Sequence, residues 1–315
     1  MRLDILAAID VGSNAVRLLI DYVEVEGLTY ELKKAAYLRV PIRLGEDVFT
    51  RNHVGHAKAQ LLMEAMLGFQ HLLRAYGVSE VRACATSAMR DAVNGREVAE
   101  AIRERTGIGM DIISGQEEAD LICAAGFPKE FAVDAGAAVY VDVGGGSTEL
   151  VVYRDNRVYL HDSFQVGTVR MLSIAAGKNV AAWEVEKERL ALSMRDIHRR
   201  DAPTRVIASG GNINKAHKLL GKKNDEPVRP DEIKDLLGRL KPLSVVARMR
   251  EFGLNGYRAD VIVPALEIFL CVCRECPSIR SVYVPKTGLA DGLLHDMCKK
   301  RLEAGTYNQE DPNGR

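Results

Sequence analysis

Two stretches of the 315-residue chain decide its fold, AAIDVGSNAVRLLIDYV at residues 7–23 and VYVDVGGGSTELVVYRD at residues 139–155. Each is a short apolar run ending in Asp-Val-Gly, followed by a tight polar turn and a second apolar run. The runs read as strands and the turns as hairpin connections. Asp10 and Asp142 lie 132 residues apart, about one domain length at the usual ~150 residues per domain. Solenoid repeats recur every ~20–50 residues, so this spacing predicts a duplicated domain instead.

The surroundings of each hairpin repeat as well. After the first come a third strand at Tyr30 to Ala36 and an amphipathic helix from His53 to Tyr76, with Leu61, Leu62, Ala65, Met66 and Phe69 at helical spacing. Strand Val81 to Ala85, a helix through Arg105, strand Met110 to Ile113 and a helix from Glu117 follow, the alternation of parallel αβ units. The second half reads similarly: strand Val158 to Ser163, helices Val169 to Ala176 and Trp183 to Arg199, and strand Arg205 to Ala208. Helix Ala259 to Cys273, strand Ser281 to Val284 and helix Leu289 to Arg301 complete it. Gly126, Pro128 and Gly136 cluster where the halves join, giving expected domains at 1–128 and 129–303 and a polar tail at 304–315. Region 221–242, with three prolines and mixed charge, reads as a long surface loop.

Hydrophobic residues make up 47% and charged residues 27%, which excludes a disordered chain. Lys+Arg and Asp+Glu are both 43, so the formal net charge is zero. That balance argues against nucleic acid or a membrane surface as partner, since both select a basic excess. The start carries Asp4 and Asp10 and lacks the pattern of a signal peptide. The apolar stretch Val261 to Val272 is interrupted by Pro264 and Glu267 and is too short to span a bilayer. A soluble, cytoplasmic protein with six reduced cysteines is expected.

Chemistry concentrates in the turns. Gly144, Gly145 and Gly146 let the backbone curl and offer N–H groups to an anion, and Ser147 and Thr148 add hydroxyl donors. The flanking Asp142 and Glu149 repel phosphate directly but suit a divalent cation that itself binds phosphate, an arrangement Mg²⁺ favours. A plain hairpin needs at most two such residues. Gly12, Ser13 and Asn14 form a weaker counterpart, with Arg17 three residues on, and read alone they are an ordinary turn. Ser209, Gly210 and Gly211 link a strand to a helix, either as a third anion-facing turn or as a tight connection only. Ser114 and Glu117 have capping-box spacing, which leaves Glu118 free, and a first-turn carboxylate tends to stay ionised, as a water-activating base requires. Arg90, just inside the helix after Thr86, can reach an anion or serve a salt bridge.

Taken together, these pieces resemble the exopolyphosphatase/guanosine pentaphosphate phosphohydrolase (Ppx/GppA) family of the actin-like ATPase superfamily. The matching segments are IDVGSNAVRLLI at 9–20, IRLGEDVF at 42–49, ATSAMRDAVN at 85–94 and IISGQEEADLI at 112–122. VDVGGGSTELVV at 141–152, QVGTVRM at 165–171, ASGGNINKA at 208–216 and ADVIVPALEIF at 259–269 follow in order. The resemblance implies an α/β fold of two ribonuclease-H-like domains, of the actin/hexokinase/heat-shock ATPase type, with the active site in the cleft between them. It implies Mg²⁺-dependent hydrolysis of terminal phosphate from inorganic polyphosphate or guanosine pentaphosphate, with Mn²⁺ as a substitute ion and a homodimer as a possible assembly.

Residue by residue, the resemblance makes Gly12 to Asn14 and Gly144 to Thr148 the phosphate loops and Glu118 the base. The choice over Glu117 rests on alignment and the cap. Asp142 and Glu149, with Asp10, become metal-associated carboxylates, and Arg17 and Arg90 phosphate-contacting cations. The third loop, ASGGNIN, differs from the Gly-Thr pair of many relatives. In VPKTGLADGLL, Lys286-Thr287 precede the glycine and Ala290 stands where many carry arginine. Both departures fall in substrate-shaping regions. Two other readings are an ATP-using kinase or ATPase of the same superfamily and a non-catalytic alarmone sensor. The spacing of Cys271, Cys273 and Cys276 suggests a metal only weakly, since they close an apolar helix. The paired basic residues, Lys33-Lys34 among them, read by default as solvated faces, or, with polyphosphate as substrate, one of them lines an exit path.

Overall fold

The computed structural model describes residues 2–124, 137–154, 157–175, 180–224 and 226–305. The expected join at Gly126 to Gly136 and the tail from residue 306 lie outside these.

The first sheet contains β1 (Arg2–Val11), β2 (Val16–Glu26), β3 (Thr29–Val40), β4 (Glu80–Ala85) and β5 (Met110–Ile112) in the order β3-β2-β1-β4-β5. The second contains β6 (Ala137–Val143), β7 (Thr148–Arg154), β8 (Arg157–Phe164), β9 (Arg205–Ser209) and β10 (Ser281–Tyr283) in the order β10-β9-β6-β7-β8. In each sheet the hairpin strands are antiparallel and the last two strands are parallel to the first. Strand for strand the two sheets are the same, the duplication expected from the hairpins in the ribonuclease-H-like form that the family resemblance implies. Even an irregularity repeats. The β2–β3 ladder skips Ala35 beside Ile20 and Asp21, and the β7–β8 ladder skips Tyr159 beside Val152 and Tyr153.

β1 is buried on both faces, which is why ILAAIDV is nearly continuous in apolar residues. Ala7, Ile9 and Val11 face one core, closed by Leu62, Met66 and Phe69 of α2 (His56–Tyr76). Leu6 and Ala8 face a different cluster, shared with Tyr140, Val151 and Ile207 of the second sheet. Between the sheets lie α5 (Gly115–Ala124) and α13 (Leu289–Glu303). α13 falls within the stretch expected to form the second half, yet it packs on α5, β1 and β2. A Cβ at Gly292 would collide with the Leu121 carbonyl, so the close crossing of α13 over α5 requires glycine there. The second sheet buries Val139, Val141 and Val143 against Trp183 and Leu190 of α7 (Val180–Asp201) and Leu266 and Phe269 of α12 (Ile262–Glu275). Burying each such side chain fully contributes about 1.5–3 kcal/mol.

Several elements differ from the sequence reading. Region 221–242 is not a long loop. It contains α9 (Pro230–Leu240), in which Pro230 occupies the first turn and Ile233, Leu236 and Leu240 are buried. Proline is accommodated there because the first-turn N–H has no intrahelical partner to lose. The helix expected through Arg105 divides into α3 (Ser87–Asp91) and α4 (Gly95–Thr106). α1 (Leu44–Arg51) was not anticipated, and β3 runs on to Val40. The remaining helices are α6 (Thr168–Ala175), α8 (Gly211–Leu219), α10 (Val245–Phe252) and α11 (Gly256–Ala259). No helix among the described residues is long and apolar enough to cross a membrane.

Candidate active site

The carboxyl ends of β1, β4, β6 and β9 open onto one cleft of about 320 Å³, where ligands of open α/β sheets generally sit. Both hairpin turns enter it, Gly12 to Asn14 from one half and Gly144 to Ser147 from the other. Each turn is closed by one bond, Gly12 N–H to the Ala15 carbonyl at 3.1 Å and Gly144 N–H to the Ser147 carbonyl at 2.9 Å. The carbonyls of Ser13 and Asn14 are taken by Gly45 and Arg43 beside α1, and those of Gly144 and Gly145 by the start of α6. Among the described residues no backbone carbonyl takes the amides of Ser13, Asn14, Gly145 or Gly146.

The two turns touch. A Cβ on Gly146 would overlap Ser87 Oγ and the Phe49 ring and come within 2.9 Å of Ser13 Oγ. Only glycine lets the second turn reach the first. Arg170 of α6 holds this approach from behind. Its Nε donates to the Gly146 carbonyl at 2.8 Å, its Nη2 donates to Asp91 at 2.6 Å, and its guanidinium stacks 4.1 Å from the centre of the Phe49 ring. Sequence reading matched QVGTVRM as a segment but gave Arg170 no role, because its partners are 24 and 79 residues away.

Ser114 and Glu117 form the expected reciprocal cap: Glu117 N–H donates to Ser114 Oγ at 3.1 Å and Ser114 N–H to Glu117 Oε2 at 2.8 Å. Glu117 is thereby occupied, with its pKa lowered by the Ser114 amide and hydroxyl. Glu118 turns into the cleft, 8% exposed, and its Oε2 is buried without a hydrogen-bond partner. Arg90 Nη1 lies 3.7 Å from Glu118 and donates to the Ile113 carbonyl at 2.8 Å, so Arg90 sits behind the base and does not line the cleft. The helix-terminus argument had Glu118 readily ionised. Burial, and after it the Glu149 charge, raise its pKa well above the ordinary value, while Arg90 opposes them. Desolvation outweighs the helix dipole here.

The register makes the two hairpins chemically unlike. Asp10 pairs across its ladder with Arg17, and Asp142 pairs at the equivalent place with Glu149. Asp10 and Arg17 form an ion pair. Asp142 and Glu149 have no such neutralisation from each other. Burial and then Asp10 push Asp142 up to about 6, against Arg17 and Ser209, which lower it. Glu149, 1% exposed, is pushed up to about 7 by burial and Asp142, against hydrogen bonds from Ser147 and Ser163. Ser163 Oγ donates to Glu149 Oε1 at 3.1 Å, and Oε2 is buried with no partner.

Asp142 and the orphaned Glu149 oxygen are hard oxygen donors that suit a divalent cation. Among the described residues no three acidic, histidine or cysteine side chains are grouped closely enough to hold an ion by themselves. The six cysteines are free thiols.

Other expected residues fall at different distances from the chemistry. Ser209, Gly210 and Gly211 line the cleft, and Ser209 Oγ donates to the Thr287 carbonyl at 2.8 Å. Thr148, expected as a hydroxyl donor, is fully buried and donates to the Val166 carbonyl at 2.5 Å, so it supports the turn from below. Strand alternation aims it away from the cleft. The cleft also gathers Tyr37, Arg39 and Arg258, which the sequence did not single out, with Lys34 of the basic run and Lys286 of the segment that departs from relatives.

Comparison with known proteins accords with this geometry. The model of the Ppx/GppA phosphatase family matches residues 24–301. An uncharacterized protein of Streptomyces coelicolor is 27% identical over 268 residues, covering 80% of this chain and 78% of its own. Among solved structures, an exopolyphosphatase-like protein superposes with a TM-score of 0.80 at 23% identity, over 96% of this chain and all of that one. An exopolyphosphatase from Cytophaga hutchinsonii gives 0.79 at 20% identity, over 94% and 98%. The Aquifex aeolicus member of the Ppx/GppA family gives 0.73 at 21% identity, over 98% and 100%. At these identities the likeness is one of fold.

Proposed function

The chain belongs to the Ppx/GppA phosphatase family, and from that premise we propose that it releases terminal phosphate from inorganic polyphosphate or guanosine pentaphosphate with water activated by Glu118. The observation that carries this reading is Glu118 itself, a buried carboxylate on the wall of a cleft that two glycine turns enter. In the reaction, the Glu118 carboxylate takes a proton from water as the water oxygen attacks the terminal phosphorus in line. The anhydride P–O bond breaks and its electron pair leaves with the oxygen of the shortened chain. The amides of Ser13, Asn14, Gly145 and Gly146 are available to the oxygens of the phosphoryl group in flight. Arg17 and Arg90 serve from the sides, the first fixing Asp10 and the second orienting Glu118. Mg²⁺, held by Asp142 and Glu149, would supply neutralisation of the transferred and leaving oxygens.

The direct test measures phosphate release from polyphosphate, guanosine pentaphosphate and ATP, with Mg²⁺ and after chelation, beside Glu118→Gln. Release from the first two that needs the ion and Glu118 supports the proposal. Preference for ATP would favour the ATPase reading, and release unaffected by Glu118→Gln would exclude the base.

A further inference from the structure

β3 carries an irregularity that decides what faces the cleft. Ile20 pairs with Ala36 and Asp21 with Lys34, so Ala35 has no partner in the ladder. One extra residue inverts the alternation of side chains beyond it. Without it Lys34 would share the face of Ala36 and Leu38, which pack on the first core. With it Lys34 joins Tyr37 and Arg39 on the face of Arg17, and all four line the cleft.

Lys34 stands opposite Asp21 in the ladder and acts on Asp291 of the same cleft, but forms an ion pair with neither. Arg17 is paired with Asp10. Among the described residues Lys34 and Arg39 take part in no ion pair, and Lys34 lies 5.8 Å from the centre of the Tyr37 ring. The charged groups facing Arg39 are Arg17, Arg258 and Arg43, all of its own sign, and together with burial they lower its pKa to about 10. Lys286 stands on the same cleft in a left-handed backbone conformation, φ 62°, and bonds to Asn224. A non-glycine residue held there is strained, a feature that recurs at ligand-binding positions. The like charges gathered around Arg39 raise the local potential for an anion.

We propose that Lys34 and Arg39, set on the cleft face of β3 by the bulge at Ala35, form with Lys286 a second anion subsite that holds substrate phosphates beyond the one released. The subsite rests on the reading of the substrate as a multi-phosphate anion. Its chemistry is shared by the far part of a polyphosphate chain and the second phosphate run of a doubly phosphorylated guanosine nucleotide. It does not touch the scissile group, so it acts on affinity and on length.

Binding by the Glu118→Gln protein, which holds substrate without turning it over, is compared with binding by the same protein carrying Lys34→Ala and Arg39→Ala. Equilibrium dialysis is run with long polyphosphate, guanosine tetraphosphate and tripolyphosphate. The subsite predicts that Kd rises at least tenfold for long polyphosphate, for the nucleotide or for both, and the arm that moves identifies the source. Tripolyphosphate binding stays within twofold, and Arg39→Lys restores part of the loss. Equal weakening for tripolyphosphate would place these residues at the reaction centre and overturn the subsite, as would no change for any ligand. A protein that releases no phosphate from any compound, yet loses long-chain binding on the double substitution, would remove the proposed reaction and leave the subsite standing. Thermal melting of each variant separates lost binding from lost folding.

Discussion

Arg170 of the second half and Asp91 of the first meet at 2.6 Å, while the same guanidinium holds the Gly146 carbonyl at 2.8 Å. One side chain therefore ties the triple-glycine turn to the opposite half of the molecule. Its planar fork serves both acceptors at once and still stacks on Phe49, a combination lysine cannot reproduce.

Arg170→Ala is expected to lower kcat/KM about a hundredfold, because displacing a positioning group by an ångström costs that much. Arg170→Lys should recover only part of the loss. Steady-state phosphate release with melting temperatures checks this. Wild-type kcat/KM in Arg170→Ala would show that the turn holds its place unaided.

Gly146→Ala places a methyl group against Ser87 Oγ and the Phe49 ring. The second turn must back away from Ser13, so activity should fall by at least tenfold while the far-ultraviolet circular dichroism stays native. Adding Ser87→Gly should return some activity, since it opens one of the two obstructions.

Glu118→Gln should reduce kcat by about 10²–10⁴, the usual contribution of a positioned general base, with little change in substrate binding. Glu117→Gln is the informative companion. Glu117 caps α5 and is exposed, and Gln can keep the reciprocal cap, so its replacement should lower stability only slightly and spare kcat. The reverse pattern would exchange the two roles.

Asp21 is buried, and burial pushes its pKa up to about 6, with Asp291 adding to the rise and Lys34 opposing it. The folded state thus holds this proton more tightly than the unfolded chain, whose carboxyl has the ordinary value of 3.8. Stability from this group is present below that ordinary value and declines as pH rises to about 6. Asp21→Asn should flatten that decline and raise the melting temperature at pH above 6. Melting curves at matched ionic strength across pH decide it, and an unchanged slope in the variant would assign the decline to other groups.

Much of this architecture was legible because the signals were local. Three glycines after an Asp-Val strand define a turn by themselves, and Ser114 with Glu117 carries its cap in four residues. Pro230 misled because proline interrupts most helices but is welcome in the first turn of one. The bulge at Ala35 has no local signature at all. It appears only when β3 is registered against β2, so Lys34 looked like half of a solvated pair. The elevated pKa of Glu118 was equally hidden, since it arises from Glu149 and burial supplied by distant segments.

The equivalence of Arg17 and Glu149 has a consequence for how the two halves divide their work. A copied scaffold became chemically lopsided through a single side-chain position: one copy extinguishes its own aspartate, and the other doubles it. Restoring the symmetry by Glu149→Arg should give a protein whose halves are both internally neutral at that position. On the proposal that Asp142 and Glu149 hold Mg²⁺, the wild-type melting temperature should rise with the ion and that of the Glu149→Arg variant should not.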